Sequence, residues 1–368
     1  MKNLKYNNDK VIDSCSLFGM MNLKGKCFNG KDIIKAITNM HVRGNGLGAG
    51  FAVYGLFPEY KEYYCLQILF QKDKAKQECD SFLKENFVIV KDEEVPHRNT
   101  KEIVNPPIVW RYFVNTASHI SDDDYVLRKV MSINTQIEDT FVFSSGKDMA
   151  VFKGVGFPED IADYFELEHY TGYIWTAHGR FPTNTPGWWG GAHPFSMLDW
   201  TVVHNGEISS YGINRRFLEM YGYYCTMHTD TEVIAYAVDL LIRQHNLPIE
   251  VVAKILAAPL WSEIDRMPEE NKKFYSTLRQ VYGSLLMNGP FVVIIAHQGE
   301  MIGLGDRIRL RPLTAGITDE MLFLSSEESG IRLICPDVKH TWIPKGGEPV
   351  IGRLKDGKVI YYENIFAA

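Results

Sequence analysis

No basic stretch, no paired cysteines and no long apolar run occur in this chain of 368 residues, and each absence removes a class of function. Binding a phosphate backbone takes clustered lysine and arginine. Here 39 basic residues face 45 acidic ones, for a net charge of −6. Short mixed runs such as 72–76 read as solvated helix faces, so a nucleic-acid partner is not expected. A membrane-spanning helix needs about 18 consecutive apolar residues, and none are present, so no membrane association is expected either. Residues 1–14, MKNLKYNNDKVIDS, are polar and lack the apolar segment of a secretory signal. The six cysteines are scattered without a C-x-x-C pair. That pattern suits a reducing cytoplasm and provides neither a disulfide framework nor a zinc site. Eleven histidines form no H-E-x-x-H or comparable ligand spacing, so no metal is expected. The glycine-rich stretch 43–50, RGNGLGAG, puts Ala49 where G-x-G-x-x-G requires its third glycine. It also precedes a strand pattern rather than opening a helix, which excludes a dinucleotide site, and no cofactor is expected.

What the chain does contain is an alternation of short apolar runs and helical periodicities. Residues 15–22, 51–54, 66–70, 140–144, 173–177, 200–204 and 291–297 read as strands. Residues 31–40 and 74–85 have helical spacing, and 232–244, EVIAYAVDLLIRQ, is the strongest amphipathic helix pattern. The C-terminal pieces 300–304, 321–325 and 349–362 read as successive strands separated by turns. Elements segregated in this way predict α+β layers with mostly antiparallel sheets.

The chemistry is carried by several short motifs. Cys15 stands in CSLFG, and Arg43 opens the glycine-rich turn. HGRFPTN at 178–184 runs into TPGWWGGAHPF, followed by DWTVVHNGEI at 199–208 and MHTDTEV at 227–233. The ordered set C-x-L-F-G, R-G, H-x-R-F-x-T-N-T, A-H-P-F, H-N-G-E-I and T-D-T-E-V resembles the class II glutamine amidotransferases, most of all the glutaminase domain of glutamate synthase. DRIRLRPL at 306–313 and SSEE at 325–328 are similar to later elements of the same family, so the resemblance runs from Cys15 to Glu328. It implies a four-layer αββα N-terminal-nucleophile hydrolase fold over residues 15–368, with 1–14 as a leader or propeptide.

Opening a carboxamide requires a nucleophile, a base, donors for the developing oxyanion and a grip on the substrate. The resemblance implies that Cys15 supplies the thiol and, once it is the first residue, the α-amine base. An α-amine has a pKa of about 7.7–8.0, near working pH. The same resemblance implies Asn205 and the Gly206 N–H as oxyanion donors, Arg180 as the clamp for the α-carboxylate of glutamine, and Asp230 as the anion for its α-ammonium. The planar fork of arginine suits a carboxylate. Arg43 and Thr183 complete the implied substrate-binding set, with Arg43 organising the site and Thr183, His178 and His193 in supporting positions. Taken alone, Asn205-Gly206 is also a hairpin signal, and Thr229 or Asp230 a helix cap.

Three features depart from the family pattern. Fourteen residues precede Cys15, whose nitrogen is an amide until the Ser14–Cys15 bond is cut. Ser16 stands where relatives often carry glycine. The long stretch between Arg43 and Arg180 predicts an inserted lobe at about 66–165. About 40 residues follow the motifs, too few for a flavin barrel, an iron–sulfur cluster or a phosphosugar domain, so ammonia is expected to pass to a separate synthase subunit of the flavoprotein glutamate synthase type. The other expectation is a catalytically silent glutamine-binding or regulatory subunit with Cys15 left unprocessed.

Overall fold

In the computed structural model, residues 14–116, 122–182, 185–354 and 358–361 are described. The leader, apart from Ser14, and Thr183 lie outside them. Two antiparallel sheets form the centre. One has seven strands in the order His340–Trp342, Thr314–Ile317, Met321–Ser325, Ser16–Asn22, Ile174–Gly179, Ala49–Tyr54 and Met149–Gly154. The other has six, in the order Phe195–Met197, Trp200–Gly206, Phe291–His297, Glu300–Gly305, Val350–Arg353 and Lys358–Tyr361.

The inner faces pack directly on each other. A Cβ built at Gly19 in the first sheet would lie 2.9 Å from Met301 Sδ and 3.3 Å from Ile294 in the second. The Tyr54 hydroxyl crosses the same interface and lies 2.8 Å from the Asp199 carbonyl, from Thr201 Oγ1 and from the Ala296 carbonyl. All seven residues of Ser16–Asn22 are buried. That explains its unbroken apolar pattern, since a strand covered on both faces cannot alternate.

Helices close the outer faces. Lys31–Thr38 buries Ile33, Ala36 and Ile37 against the seven-stranded sheet, beside Glu328–Ile334 and Pro158–Tyr164. Asp230–Asp239 lies on the six-stranded sheet along Phe195–Met197 and Trp200–Gly206. The architecture is therefore the expected α+β sandwich in four layers, αββα.

Two expectations need correction. The 232–244 pattern forms the expected helix, but over Asp230–Asp239 it lacks the exposed polar face of an amphipathic one. Every residue from Thr231 to Asp239 is buried, between the sheet and the helix Tyr211–Glu219, and the α-helix gives way to a π-helical turn at Leu240–Gln244. The C-terminal region also contains the helix Glu328–Ile334 between strands. Its seven residues are too few to show a 3.6-residue period. Within 66–165, the strands Phe87–Glu94, Ile108–Thr116, Tyr64–Phe70 and Thr140–Ser144 form a sheet of their own in that order, whereas Met149–Gly154 is an edge strand of the seven-stranded sheet.

Candidate functional site

The ends of three strands converge on one cavity of about 790 Å³. Cys15 directly precedes the Ser16–Asn22 strand, Arg180 directly follows Ile174–Gly179, and Asn205-Gly206 ends Trp200–Gly206. Ser16 pairs with Gly179 in the ladder, which fixes Cys15 beside Arg180 and Phe181. The Phe181 N–H donates to Cys15 Sγ at 3.3 Å. Burial pushes the Cys15 thiol up, opposed by the Phe181 N–H and by the charges of Arg180 and Arg311, while Asp230 adds to the rise.

Cys15, Arg180, Asn205, Gly206 and Asp230 all line this cavity. Asn205 is 1% exposed, and its Nδ2 is buried with no hydrogen-bond partner among the described residues. Gly206 has φ +151°, and a Cβ there would lie 1.9 Å from the Pro290 carbonyl oxygen. The strand end thus requires glycine for both conformation and space.

Arg180 is 4% exposed, and burial lowers its pKa while Cys15 and Asp230 favour its charge. Its guanidinium donates to Thr185 Oγ1 at 2.6 Å and to the Pro186 carbonyl at 3.4 Å. Asp230 is the first residue of its helix, and the capping is done by Thr229, whose hydroxyl accepts the Thr231 N–H at 3.1 Å. Burial alone would raise the Asp230 carboxyl; His204, the Ile208 N–H and Thr231 outweigh it and hold the carboxyl below its usual range.

Arg43 does not line the cavity. Its Nε donates to the Cys15 carbonyl at 3.2 Å, one terminal nitrogen to Ser14 Oγ at 2.9 Å, and the other pairs with Glu327 at 2.8 Å. His178 and His193 stack with ring centroids 4.0 Å apart, and neither reaches Cys15 in any hydrogen bond of the described residues. Burial lowers the His178 pKa to about 3 and that of His193 well below its ordinary value, so both rings are neutral.

Several further residues contribute to the site. Arg311 lines the cavity as a second cation; its Nε is buried without a partner among the described residues. It lies within the 306–313 motif, but nothing local to that motif says it returns to the cysteine. Ser14 Oγ contacts Asn205 Oδ1 at 3.2 Å as well as Arg43. Thr231 Oγ1 meets His193, His204 and Asp230 together.

Comparison with known proteins gives the family of the chain. A family profile described as class II glutamine amidotransferases matches residues 64–365, a range that holds Arg180, Asn205, Gly206 and Asp230 and begins after Cys15. A protein of Archaeoglobus fulgidus, described as uncharacterized, is 60% identical over 94% of this chain and 94% of its own length. The large chain of NADPH glutamate synthase from Bacillus subtilis is 25% identical over 70% of this chain but only 18% of its own. Among solved structures, the glutamine phosphoribosylpyrophosphate amidotransferase of B. subtilis aligns over 94% of this chain and 48% of its own, with 14% identity and a TM-score of 0.48.

Proposed function

The chain belongs to the class II glutamine amidotransferases, and from that membership we propose that it releases ammonia from L-glutamine through a thioester on Cys15. The observation that carries the reading is the unpartnered Asn205 Nδ2 in the same cavity as Cys15, Arg180 and Asp230. Burying an amide donor without a partner costs free energy, about 1–3 kcal/mol. A site that accepts that cost beside a thiol is arranged for an oxygen that arrives only with substrate.

In this reading Asp230 receives the α-ammonium and Arg180 the α-carboxylate, leaving the carboxamide carbon at Cys15 Sγ. The thiol proton passes to the Cys15 α-amine as sulfur bonds to carbon. The resulting oxyanion is held by Asn205 Nδ2 and the Gly206 N–H. The amine then hands the proton to the departing nitrogen, ammonia leaves, and water cleaves the thioester to glutamate. A thiol raised by burial suits this order, because the proton is removed in the step itself and no standing thiolate is required. Arg43, tied to the Cys15 carbonyl, holds the nucleophile's backbone, and Thr183 belongs to the substrate-binding group. The ammonia goes to a synthase of the glutamate synthase type, a destination supported by the similarity to part of the glutamate synthase large chain.

The base exists only after the Ser14–Cys15 bond is cut. A second reading, glutamine binding without turnover, is favoured by Ser14 itself, whose hydroxyl occupies Asn205 Oδ1 and Arg43. Sequencing the first residue of the purified protein, together with a glutaminase assay, separates the two. A chain beginning at Cys15 that releases ammonia, with Cys15→Ala folded but inactive, is the expected result. Undiminished release by Cys15→Ala would sink the thioester mechanism, and a retained Ser14 with no release would leave the silent subunit.

A further inference from the structure

Behind Asp230 lies a buried node that no catalytic role accounts for. Thr231 is fully buried, and its Oγ1 has three polar neighbours: His193 Nε2 at 2.7 Å, His204 Nδ1 at 3.0 Å and Asp230 Oδ1 at 3.4 Å. A hydroxyl brings one hydrogen and two lone pairs. The other nitrogens of the two rings, His193 Nδ1 and His204 Nε2, are buried with no partner among the described residues. A neutral imidazole must place its hydrogen on one nitrogen, and burying an N–H without an acceptor is the costlier choice. His193, neutral, therefore carries its hydrogen on Nε2, and His204 carries one on Nδ1 whatever its charge, so both donate to the Thr231 oxygen; His204 Nδ1 also lies 3.7 Å from Asp230 Oδ1. That fills the two lone pairs and leaves the hydroxyl hydrogen for the carboxylate, which can only accept. His178 fits the same count, since its Nε2 faces the His204 carbonyl at 2.9 Å. The other oxygen of Asp230, Oδ2, accepts the Ile208 N–H at 2.9 Å, so the carboxylate is held at both ends.

We infer that Thr231 is the positioning residue for the α-ammonium subsite, aiming the Asp230 carboxylate into the cavity through a hydroxyl oriented by His193 and His204. The inference rests on the glutaminase reading, in which Asp230 takes the ammonium of glutamine. It assigns the three T-D-T-E and histidine positions a single purpose: a fixed anion for an amino-acid substrate, one that a simple amide would not exploit.

The test uses Thr231→Val, which keeps the shape and removes the hydroxyl, and Thr231→Ser, which restores it. Steady-state ammonia release is measured with glutamine, and inhibition with glutaramate, the analogue lacking the α-amine. Losing a hydrogen bond to a charged group should raise KM for glutamine about tenfold or more. The change in kcat should be small, Thr231→Ser should recover the KM, and inhibition by glutaramate should be unchanged. Equal weakening of glutamine and glutaramate, or an unchanged KM, would overturn the inference by making Thr231 a packing residue only. If Thr231→Val does not fold, ¹⁵N spectra of the histidines in the parent protein decide: hydrogen on His193 Nε2 and His204 Nδ1 supports the node, and hydrogen on His193 Nδ1 overturns it. Absence of ammonia release by the mature parent protein would overturn the glutaminase reading instead, and the spectra would still decide the node.

Discussion

At the level of single residues, the cavity wall combines donors that have partners with donors, such as Asn205 Nδ2 and Arg311 Nε, that have none among the described residues. Asn205 Oδ1 is engaged by Ser14, whereas Nδ2 has no acceptor among the described residues. If that amide serves the oxyanion, its contribution appears as charge develops on the substrate oxygen and is small in the ground state. Asn205→Ala should then lower kcat by about 10²–10³ and leave KM nearly unchanged. A loss appearing mainly in KM would assign Asn205 to ground-state binding. Legibility in the sequence was greatest where chemistry is written in adjacent residues. Asn205-Gly206 and Asp230 stand in short motifs, and Cys15, Arg180 and Asp230 line one cavity. Arg311 was not legible in the same way. It meets Ser14 at 3.5 Å across a separation of 297 positions, a contact that only the sheet order creates.

Among the elements, the strand Trp200–Gly206 has the most to reconcile. It pairs with Phe195–Met197 on one side and Phe291–His297 on the other, and its last residue must turn the chain so that Glu207 N donates to the Pro290 carbonyl at 3.0 Å. Gly206 supports that turn at a φ of +151° with the same carbonyl against its α-carbon. A methyl group there meets backbone, which cannot rotate away as a side chain could. Gly206→Ala should therefore destabilise the fold by about 3 kcal/mol, as urea denaturation would measure. A loss under about 0.5 kcal/mol would show that the strand end relaxes freely. The strands themselves were readable because two-sided burial leaves long apolar runs. The helix at Asp230–Asp239 is legible as a helix, but its complete burial is not. Its polar residues look outward in a helical projection, yet Glu232 accepts the Thr226 and Met227 N–H groups and the Tyr236 hydroxyl, and Asp239 pairs with Arg243, all beneath other chain segments. Partners brought by tertiary structure make such polar positions burial-compatible, and periodicity cannot register them.

Across the whole molecule, the site depends on an electrostatic arrangement deep in the sandwich. Lys153, on the edge strand Met149–Gly154, is 2% exposed and donates to the Gly190 and Ala192 carbonyls at 2.9 Å each. It thereby ties the edge strand to the loop that carries His193 toward Thr231. Burial lowers its pKa to about 7, with Glu232 opposing the fall and Arg180 adding to it. The consequence for stability has a definite sign. The unfolded lysine titrates near 10.4, so between about pH 7 and 10 the unfolded chain holds a proton that the folded chain has released. Stability then rises with pH across that window and loses this contribution as pH falls toward 7. Deprotonation need not break the loop contacts, because a neutral amine keeps two hydrogens for two carbonyls. Lys153→Met removes the titrating group while filling a comparable volume. Urea denaturation at pH 7, 8.5 and 10 should show wild type gaining on the variant as pH rises. Parallel profiles would mean that Lys153 titrates as an ordinary lysine, and that the link from the edge strand to the His193 loop is not set by a buried charge.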